Sequence, residues 1–380
     1  MNVKQNPLLA LYPIGQSVWL DNISRRLITS GELDRLIRDD GLRGVTSNPT
    51  IFQKAIGGSA DYDAVIKRLA GRGKSPEEIL DAIIIEDIQL AADRFRPLFD
   101  ETNGSDGFVS IEVSPQFAHD TQQTIAEARR LARLVDRPNI MVKIPGTQEG
   151  LPAIQQMIAE GYNINITLLF AIERHEEVMD AYLSGLEERV REGKPLKRIA
   201  SVASFFVSRI DTAIDKQLEE QLKTVTDAAQ RARLEGLRSQ TAIANAKLAY
   251  QRFKKRFQHE RFQRLQAQGA REQRVLWAST SAKDPRYADV RYVEELIGPH
   301  TVNTMPDATL AAFRDHGTVR GVTVNERLDD AARVLEQLAA VGISLQRVTQ
   351  ELEEAGVKSF TDSFTSLLRS VAAKRELVAT

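Results

Sequence analysis

Three residues of the sequence combine reactive side chains with apolar neighbours. Lys143 lies in IMVKIP, Asp21 ends SVWLD and Glu112 lies in GFVSIEV. Burial disfavours a charged ammonium, and the neutral amine of a lysine is the nucleophile that forms a Schiff base with a ketone. Two carboxyl groups could then serve the several proton transfers of Schiff-base carbon–carbon chemistry. The alternatives are structural: Lys143 could reach solvent or pair with a carboxylate, and the two acids could cap helices or form ion pairs.

Other polar residues lie late in similar apolar segments or just after them, namely Asn48, Asn165, Thr167 and Ser204. Their hydrogen-bond donors and acceptors suit the hydroxyl groups of a sugar. The competing interpretation is that they are buried polar groups satisfied by the backbone, which is common.

Two basic residues follow apolar segments in the second half of the chain. Arg209 ends SFFVSR, and Lys283 lies just after WASTS. Arginine binds a phosphate through its planar fork and lysine through its point charge. A salt bridge on the surface is the more frequent role of such residues.

Eight short apolar segments, rich in β-branched residues, alternate with helical patterns and would position these side chains. In chain order they carry or end at Asp21, Asn48, Glu112, Lys143, Asn165 with Thr167, Ser204, Ser279 with Ser281, and Asn303 with Thr304. The alternation predicts a closed parallel (β/α)8 barrel of the TIM type, with a doubly wound sheet as the alternative. Active sites of such barrels lie at the carboxyl ends of the strands, so the polar residues would converge there.

The remaining segments are helical in pattern. Ser75, Pro76 and Glu78 form a capping-box signature at a helix start, and the segment after Asp120 has apolar residues at helical spacing. Residues from about 211 to 273 predict several helices inserted between the sixth and seventh strands, and residues from about 325 to 380 predict C-terminal helices. We interpret residues 1–380 as a single barrel domain.

Composition narrows the function classes. The chain has 380 residues, 51 basic and 52 acidic side chains, a net charge of -1 and no cysteine. The charge balance argues against binding nucleic acid through bulk charge, and the missing cysteines exclude thiolate metal sites and disulfides. No apolar run approaches the length of a membrane helix, and the first residues lack the layout of a signal peptide. A cytoplasmic protein without nucleic-acid or membrane partners is expected.

Several potential motifs carry little weight. Gly73-Lys74-Ser75 imitates the end of a P-loop, but no strand precedes it and the upstream glycine is missing. The histidines are scattered without metal-ligand spacing, which argues against a zinc-dependent aldolase. The run YQRFKKRFQHERFQRLQ interleaves aromatic and basic residues, yet a helix face packed on the protein body is its more common role.

The segments SVWLDNISR, GVTSNPTIF, SIEVSP, MVKIPGT, YNINITLLF, ASVASFFVSRID, AIANAKLAYQRF and LWASTSAKDPRYADVRYVEELIGPHTVNTMP span nearly the whole chain. In these segments the chain resembles transaldolases, most of all the longer type found in actinobacteria and cyanobacteria. The resemblance implies a barrel enzyme of the class I aldolase type without metal or organic cofactor. It also implies reversible transfer of a dihydroxyacetone unit from sedoheptulose 7-phosphate to glyceraldehyde 3-phosphate, in the non-oxidative pentose phosphate pathway. The products are erythrose 4-phosphate and fructose 6-phosphate.

The resemblance also implies a role for each matching residue. Lys143 matches the Schiff-base lysine, and Asp21 matches the acid/base that acts during bond cleavage and formation. Glu112 and Thr167 match the pair that holds a catalytic water. The predicted substrate ligands are Asn48 and Asn165 at the dihydroxyacetone portion, Ser204, Phe206 and Arg209 at the wall and phosphate side, and Ser279 and Lys283 after the seventh strand.

One position departs from the pattern of shorter transaldolases, which carry a phosphate-binding arginine after the seventh strand. The matching residue here is Ser281, and we expect Lys283 to replace that charge together with Arg209.

The alternative function is a fructose-6-phosphate aldolase-like enzyme that releases free dihydroxyacetone, although Glu112 and the chain length favour transfer. A non-catalytic binding protein is a third hypothesis. The expected assembly is a monomer or a homodimer.

Overall fold

A closed parallel barrel forms the centre of the molecule. The computed structural model describes residues 6–379, so residues 1–5 and Thr380 of the predicted domain lie outside the described residues. The strands are β1 Gln16–Leu20, β2 Gly44–Val45, β3 Phe108–Glu112, β4 Ile140–Pro145, β5 Ile164–Leu169, β6 Ser201–Phe206, β7 Gln273–Ala278 and β8 Thr301–Met305. Each strand pairs with the next in parallel, and β8 closes on β1. The predicted (β/α)8 barrel is confirmed, and the doubly wound alternative is wrong.

The strands are buried along almost their whole length because side chains fill the barrel on one face and helices cover the other. This explains why the sequence shows continuous apolar runs without polar alternation. The short β2 depends on Gly44, since a Cβ at that position would lie 2.5 Å from the Trp19 ring. The polar residues late in each strand can therefore be recognised in the sequence, because most of the residues around them are apolar.

Helices cover the outside of the barrel. They are α1 Arg25–Thr29, α2 Glu32–Asp39, α3 Pro49–Gly57, α4 Asp63–Ala70, α5 Pro76–Glu101, α6 Thr121–Val135, α7 Gly150–Glu160, α8 Ile172–Arg191, α9 Ser208–Leu222, α10 Ala228–Leu237, α11 Thr241–Phe257, α12 Glu260–Gln266, α13 Arg291–Glu294, α14 Asp307–His316, α15 Leu328–Ala340 and α16 Leu345–Ala379. Short 3-10 helices lie at Pro7–Ala10, Tyr12–Ile14, Pro115–Phe117 and Thr323–Asn325. No helix in the described range combines the length and the hydropathy of a membrane span.

Local signals in the sequence place several of these helices. Ser75 and Glu78 form the predicted capping box at the start of α5, with both reciprocal hydrogen bonds present. Asp120 caps α6 by accepting a hydrogen bond from the backbone N–H of Gln123. The polar stretch between β6 and β7 forms α9 to α12, which confirms the predicted helical insertion. The single-domain assignment stays a prediction.

The last helix, α16, lies across the carboxyl end of the barrel. It packs against α3, which follows β2, against the 3-10 helix after β3, against β5 itself and against α9, which follows β6. All of these contacts are at the end where the strands terminate. The C-terminal helix therefore covers part of the opening into which the predicted site residues point.

Candidate active site

The register of the central strands aligns three predicted site residues. Glu112 on β3 pairs with Lys143 on β4, and Lys143 pairs with Asn165 on β5. Neighbouring residues at one level of a parallel barrel direct their side chains to the same side. The lysine is thus flanked by a carboxyl group and a carboxamide.

Lys143 is buried but contacts polar groups at its tip. Its side chain is 4% exposed, and its Nζ lies 3.3 Å from Oε2 of Glu112. Nζ also donates a hydrogen bond of 3.2 Å to the backbone carbonyl of Ser47. The ring of Phe360, on α16, lies over this nitrogen with its centroid 5.9 Å away. An amine in this position is shielded from bulk water while facing the carboxyl group of Glu112.

Glu112 is the acid whose ionisation is best matched to neutral pH. Its side chain is 3% exposed, and this burial raises its pKa to about 7, against the opposing effect of Lys143. Apart from the ion pair of Oε2 with Lys143, neither carboxyl oxygen of Glu112 has a hydrogen-bond partner among the described residues, and neither does the buried Oγ1 of Thr167. Both residues therefore have free hydrogen-bonding capacity beside Lys143.

Asp21 follows β1 directly and is fixed by a chain of hydroxyl groups. Its Oδ1 accepts a hydrogen bond of 2.7 Å from Thr46, whose oxygen lies 2.7 Å from that of Thr304 on β8. Burial raises the pKa of Asp21, and the charges of Lys143 and Arg209 oppose that rise. Three neighbouring segments of the barrel thus hold one carboxyl group over the strand ends.

The two predicted asparagines differ in how much hydrogen-bonding capacity the protein already uses. Asn165 donates to Oγ of Ser110 at 3.0 Å and accepts from Oγ of Ser204 at 2.7 Å. Asn48 caps α3, since its Oδ1 accepts from the backbone N–H of Ile51 at 3.0 Å. The side-chain amide nitrogen of Asn48 has no partner among the described residues, so it is available to a ligand.

Basic side chains lie on the other side of the opening. The guanidinium of Arg209 lies 5.1 Å from the centroid of the Phe206 ring, and Lys283 donates to Oγ of Ser281 at 2.7 Å. Burial lowers the pKa of Lys283, and so do the nearby charges of Arg209 and Lys54. Because these positive charges lie close enough to repel one another, an anion that binds between them would be stabilised.

These groups line one cavity of about 400 Å³ at the carboxyl end of the barrel. Among the predicted site residues, those that line it are Asp21, Asn48, Lys143, Ser204, Phe206, Arg209, Ser279 and Lys283. The others, Glu112, Asn165 and Thr167, lie on the strands next to Lys143. Glu112 lines a second, largely apolar cavity of about 400 Å³ beside α16, and Asn48 lines both cavities.

Thr304 was predicted to lie at the end of the eighth strand but was given no role in the site, and sequence reasoning missed four other residues of this cavity, namely Thr46, Lys54, Ser359 and Phe360. Thr46 and Thr304 lie late in strand segments, so the rule that selected Asn48 could have assigned them to the site. Lys54 and Phe360 lie within helical patterns, where the sequence gives no sign that they face the barrel opening.

The chemistry available to the site is that of an amine, two carboxyl groups and several cations. Between residues 6 and 379 no group of histidine, cysteine, aspartate or glutamate side chains is arranged to hold a metal ion. The backbone is strained next to the site. Leu168, which follows Thr167, has a φ of 61° at the point where the pairing of β5 with β6 shifts.

The chain is similar to proteins of one family over nearly its whole length. The sequence model of the Transaldolase/Fructose-6-phosphate aldolase family matches residues 18–371. A protein named Transaldolase from Saccharopolyspora erythraea is 50% identical over 364 residues, which cover 96% of each chain. Proteins of the same name from Trichodesmium erythraeum and Thermobifida fusca are 48% and 50% identical, and each comparison covers 97% of this chain.

Proposed function

Because the chain belongs to the transaldolase/fructose-6-phosphate aldolase family, we propose that it transfers a dihydroxyacetone unit from sedoheptulose 7-phosphate to glyceraldehyde 3-phosphate through a Schiff base on Lys143. The family identifies it as a transferase of the class I aldolase type with sugar phosphate substrates. The specific donor, acceptor and covalent intermediate are our proposal. The buried amine of Lys143, 3.3 Å from a carboxyl oxygen and open to a cavity lined with cations, carries it.

The first step is attack of the Lys143 amine on the ketone carbon of the donor. The tetrahedral adduct then loses water and becomes a protonated imine. A group must give a proton to the departing hydroxyl, and Glu112 suits this role because a pKa of about 7 lets it give and take protons near neutral pH. The unused hydrogen-bonding capacity of Glu112 and Thr167 suits the water that leaves and later returns.

The second step is cleavage of the carbon–carbon bond. Asp21 removes the proton of the hydroxyl group on the aldose-side carbon of the bond that breaks, which becomes the aldehyde carbon. The aldose portion leaves as an aldehyde, and the bonding electron pair moves into the protonated imine, which becomes an enamine. The hydrogen bond from Thr46 fixes the carboxylate of Asp21 for this proton transfer.

The third step is addition of the three-carbon enamine to the acceptor aldehyde. We assign Asn48 and Asn165 to its hydroxyl groups, since one has a free amide nitrogen and the other lies beside Lys143 on β5. Ser204 orients Asn165 by donating to its Oδ1. The acceptor then takes back the proton held by Asp21, and hydrolysis of the new imine releases the product.

The phosphate group of each substrate is assigned to Arg209, Lys283 and Lys54. Their charges act on one another across the cavity that also holds Asp21 and Lys143. Ser279 lies at the same wall, where its hydroxyl oxygen is 2.9 Å from that of Ser208, and the Phe206 ring packs against Arg209. We propose that the reaction serves the non-oxidative pentose phosphate pathway in the cytoplasm.

An assay with and without acceptor tests this function. Purified protein given fructose 6-phosphate and erythrose 4-phosphate should form sedoheptulose 7-phosphate and glyceraldehyde 3-phosphate, with little free dihydroxyacetone. Release of dihydroxyacetone without acceptor, at a rate close to that of transfer, would instead identify an aldolase. The Asp21→Asn variant is the matched control, and it should lose both reactions because the bond can no longer be cleaved.

A further inference from the structure

Phe360 is an aromatic residue of α16 at the centre of the candidate site. It is 2% exposed, and its helix lies across the carboxyl end of the barrel. Its ring lies over Nζ of Lys143 at 5.9 Å, and together with Ser359 it lines the cavity that also holds Asp21 and Arg209. None of the proton transfers described above uses this side chain, so its position beside the lysine requires a separate explanation.

The helix that carries Phe360 approaches the barrel closely one turn earlier. A Cβ on Gly356 would lie 2.8 Å from the end of the Leu168 side chain, so the glycine lets α16 lie against β5 without displacing that leucine. Leu168 is the residue of β5 held at a φ of 61°. The close contact brings the following turn of α16, with Phe360, against the barrel opening.

Polar contacts hold α16 along the rest of its length. Hydroxyl groups of Ser363 and Thr50 lie 2.8 Å apart, and Gln53 donates to Oγ of Ser366 at 2.9 Å. Near the end of the helix, Lys374 forms an ion pair with Asp63 at 2.7 Å. These contacts attach α16 to α3 and α4 and make it a fixed part of the site wall.

We propose that Phe360 is a specificity-determining residue that keeps water from the three-carbon intermediate on Lys143, so that the unit is transferred and not released. The inference rests on the proposed function and concerns the step at which transfer and release diverge. In release, the enamine carbon gains a proton and water adds to the resulting imine carbon. The carbon–nitrogen bond then breaks, its electron pair returns to Lys143 and dihydroxyacetone leaves. A ring that fills the space beside Nζ slows the addition of water.

The Phe360→Ala variant tests the proposal through a ratio of two rates. The first is release of dihydroxyacetone from fructose 6-phosphate without acceptor, and the second is transfer from fructose 6-phosphate to erythrose 4-phosphate. The ratio of release to transfer should rise about tenfold or more, equivalent to about 1.4 kcal/mol in the relative barriers. Phe360→Leu keeps an apolar side chain of similar volume and should leave the ratio within about twofold of wild type.

Val371→Ala is the matched control. Val371 is buried on the same helix, three turns from Phe360 and outside the cavity, so its truncation weakens packing without opening the site. Its ratio should equal that of wild type. If Phe360→Ala does not fold, Phe360→Val replaces it with the same criterion.

The possible failures are distinguishable. An unchanged ratio in Phe360→Ala, in a wild-type background that transfers normally, overturns the role of Phe360 alone. A raised ratio in Phe360→Leu equal to that in Phe360→Ala also overturns it, because the effect would then depend on the aromatic face and not on exclusion of water. A wild-type protein that neither transfers nor releases the unit overturns both this inference and the proposed function.

Discussion

Glu112 lies beside Lys143, and the pKa of its carboxyl group is raised toward neutral pH. Burial raises its pKa from an ordinary value of 4.5 to about 7, so its carboxyl group gains and loses a proton within the working range of most enzymes. An acid of this kind is more useful for forming and hydrolysing an imine than one that is ionised throughout. The burial of Glu112 therefore gives its carboxyl group the pKa that the proposed proton transfers require.

Glu112→Gln should slow transfer by roughly 10²- to 10⁴-fold, which is the usual contribution of a general acid–base group. The wild-type rate should change with an inflection near pH 7 as Glu112 loses its proton, and the variant should lack that inflection. Transfer rates from pH 5.5 to 8.5 provide the measurement. Glu272→Gln, at the opposite end of the barrel, is the control, and equal slowing in both variants would exclude a specific role for Glu112.

The cationic residues of the opening should differ in importance according to their burial. Replacing Arg209, which is partly buried, with methionine should raise KM for fructose 6-phosphate about tenfold or more, because hydrogen bonds to charged groups contribute about 1.5–3 kcal/mol. Lys283→Met and Lys54→Met should each have a smaller effect, of less than about fivefold, because both lysines are exposed.

Unphosphorylated fructose separates a phosphate role from a general one. KM for fructose should stay nearly constant in all three variants, and so should both constants in Lys67→Met, an exposed lysine of α4. Equal losses on fructose and fructose 6-phosphate would contradict the assignment of these cations to phosphate.

At the scale of secondary-structure elements, the strands were predictable and the cover over the site was not. Each strand is an apolar run, and the polar residues that end these runs, such as Asp21 and Glu112, lie at the strand ends as expected. Phe360 could not be found in this way. An apolar residue at helical spacing has the same pattern whether its helix packs on the outer wall or crosses the opening, and this depends on contacts distant in sequence.

The helix α8 carries an unused titratable group that should make stability depend on pH. His175 is completely buried, its ring lies 5.7 Å from that of Phe205, and neither ring nitrogen has a partner among the described residues. Burial lowers the pKa of His175 to about 4. Between pH 6.5 and pH 4 the unfolded chain therefore binds a proton that the folded protein does not.

The free energy of unfolding should consequently fall by about 2 kcal/mol through His175 between pH 7 and pH 5. His175→Leu should lose this contribution, as measured by urea unfolding at both pH values. His259→Asn is the control because His259 is exposed and caps α12 through its ring, and asparagine can cap in its place. A His175→Leu protein with the pH dependence of wild type would contradict the assignment.

At the scale of the whole molecule, the two ends of the barrel each hold an aspartate, and the two have different roles. Asp106, at the amino end, accepts hydrogen bonds from Ser17 and Arg43 at 2.7 Å and 2.8 Å and pairs with Arg274 at 3.1 Å. These partners belong to β1, to the segment before β2 and to β7, so one carboxylate ties the barrel together. Asp21, at the other end, has a raised pKa and faces the cavity.

Removing the charge of each aspartate should therefore have opposite consequences. Asp106→Asn should lower the free energy of unfolding by about 3 kcal/mol, because it leaves two largely buried guanidinium groups without their carboxylate, while kcat is nearly unchanged. Asp21→Asn should abolish transfer without loss of stability at pH 7, since the raised pKa means that the ionised carboxylate destabilises the fold. Urea unfolding and the transfer assay on both variants make the comparison. A stable Asp106→Asn protein without activity would contradict this division of roles.

In the proposed mechanism, Lys143 is the residue that forms a covalent bond with the substrate. Borohydride reduction in the presence of fructose 6-phosphate, followed by mass mapping of peptides, tests it most directly. We predict a reduced sugar adduct, of three or six carbons, on the peptide that contains Lys143, and no adduct in Lys143→Met. A folded and active protein that yields no adduct, or an adduct on another lysine, would contradict the account.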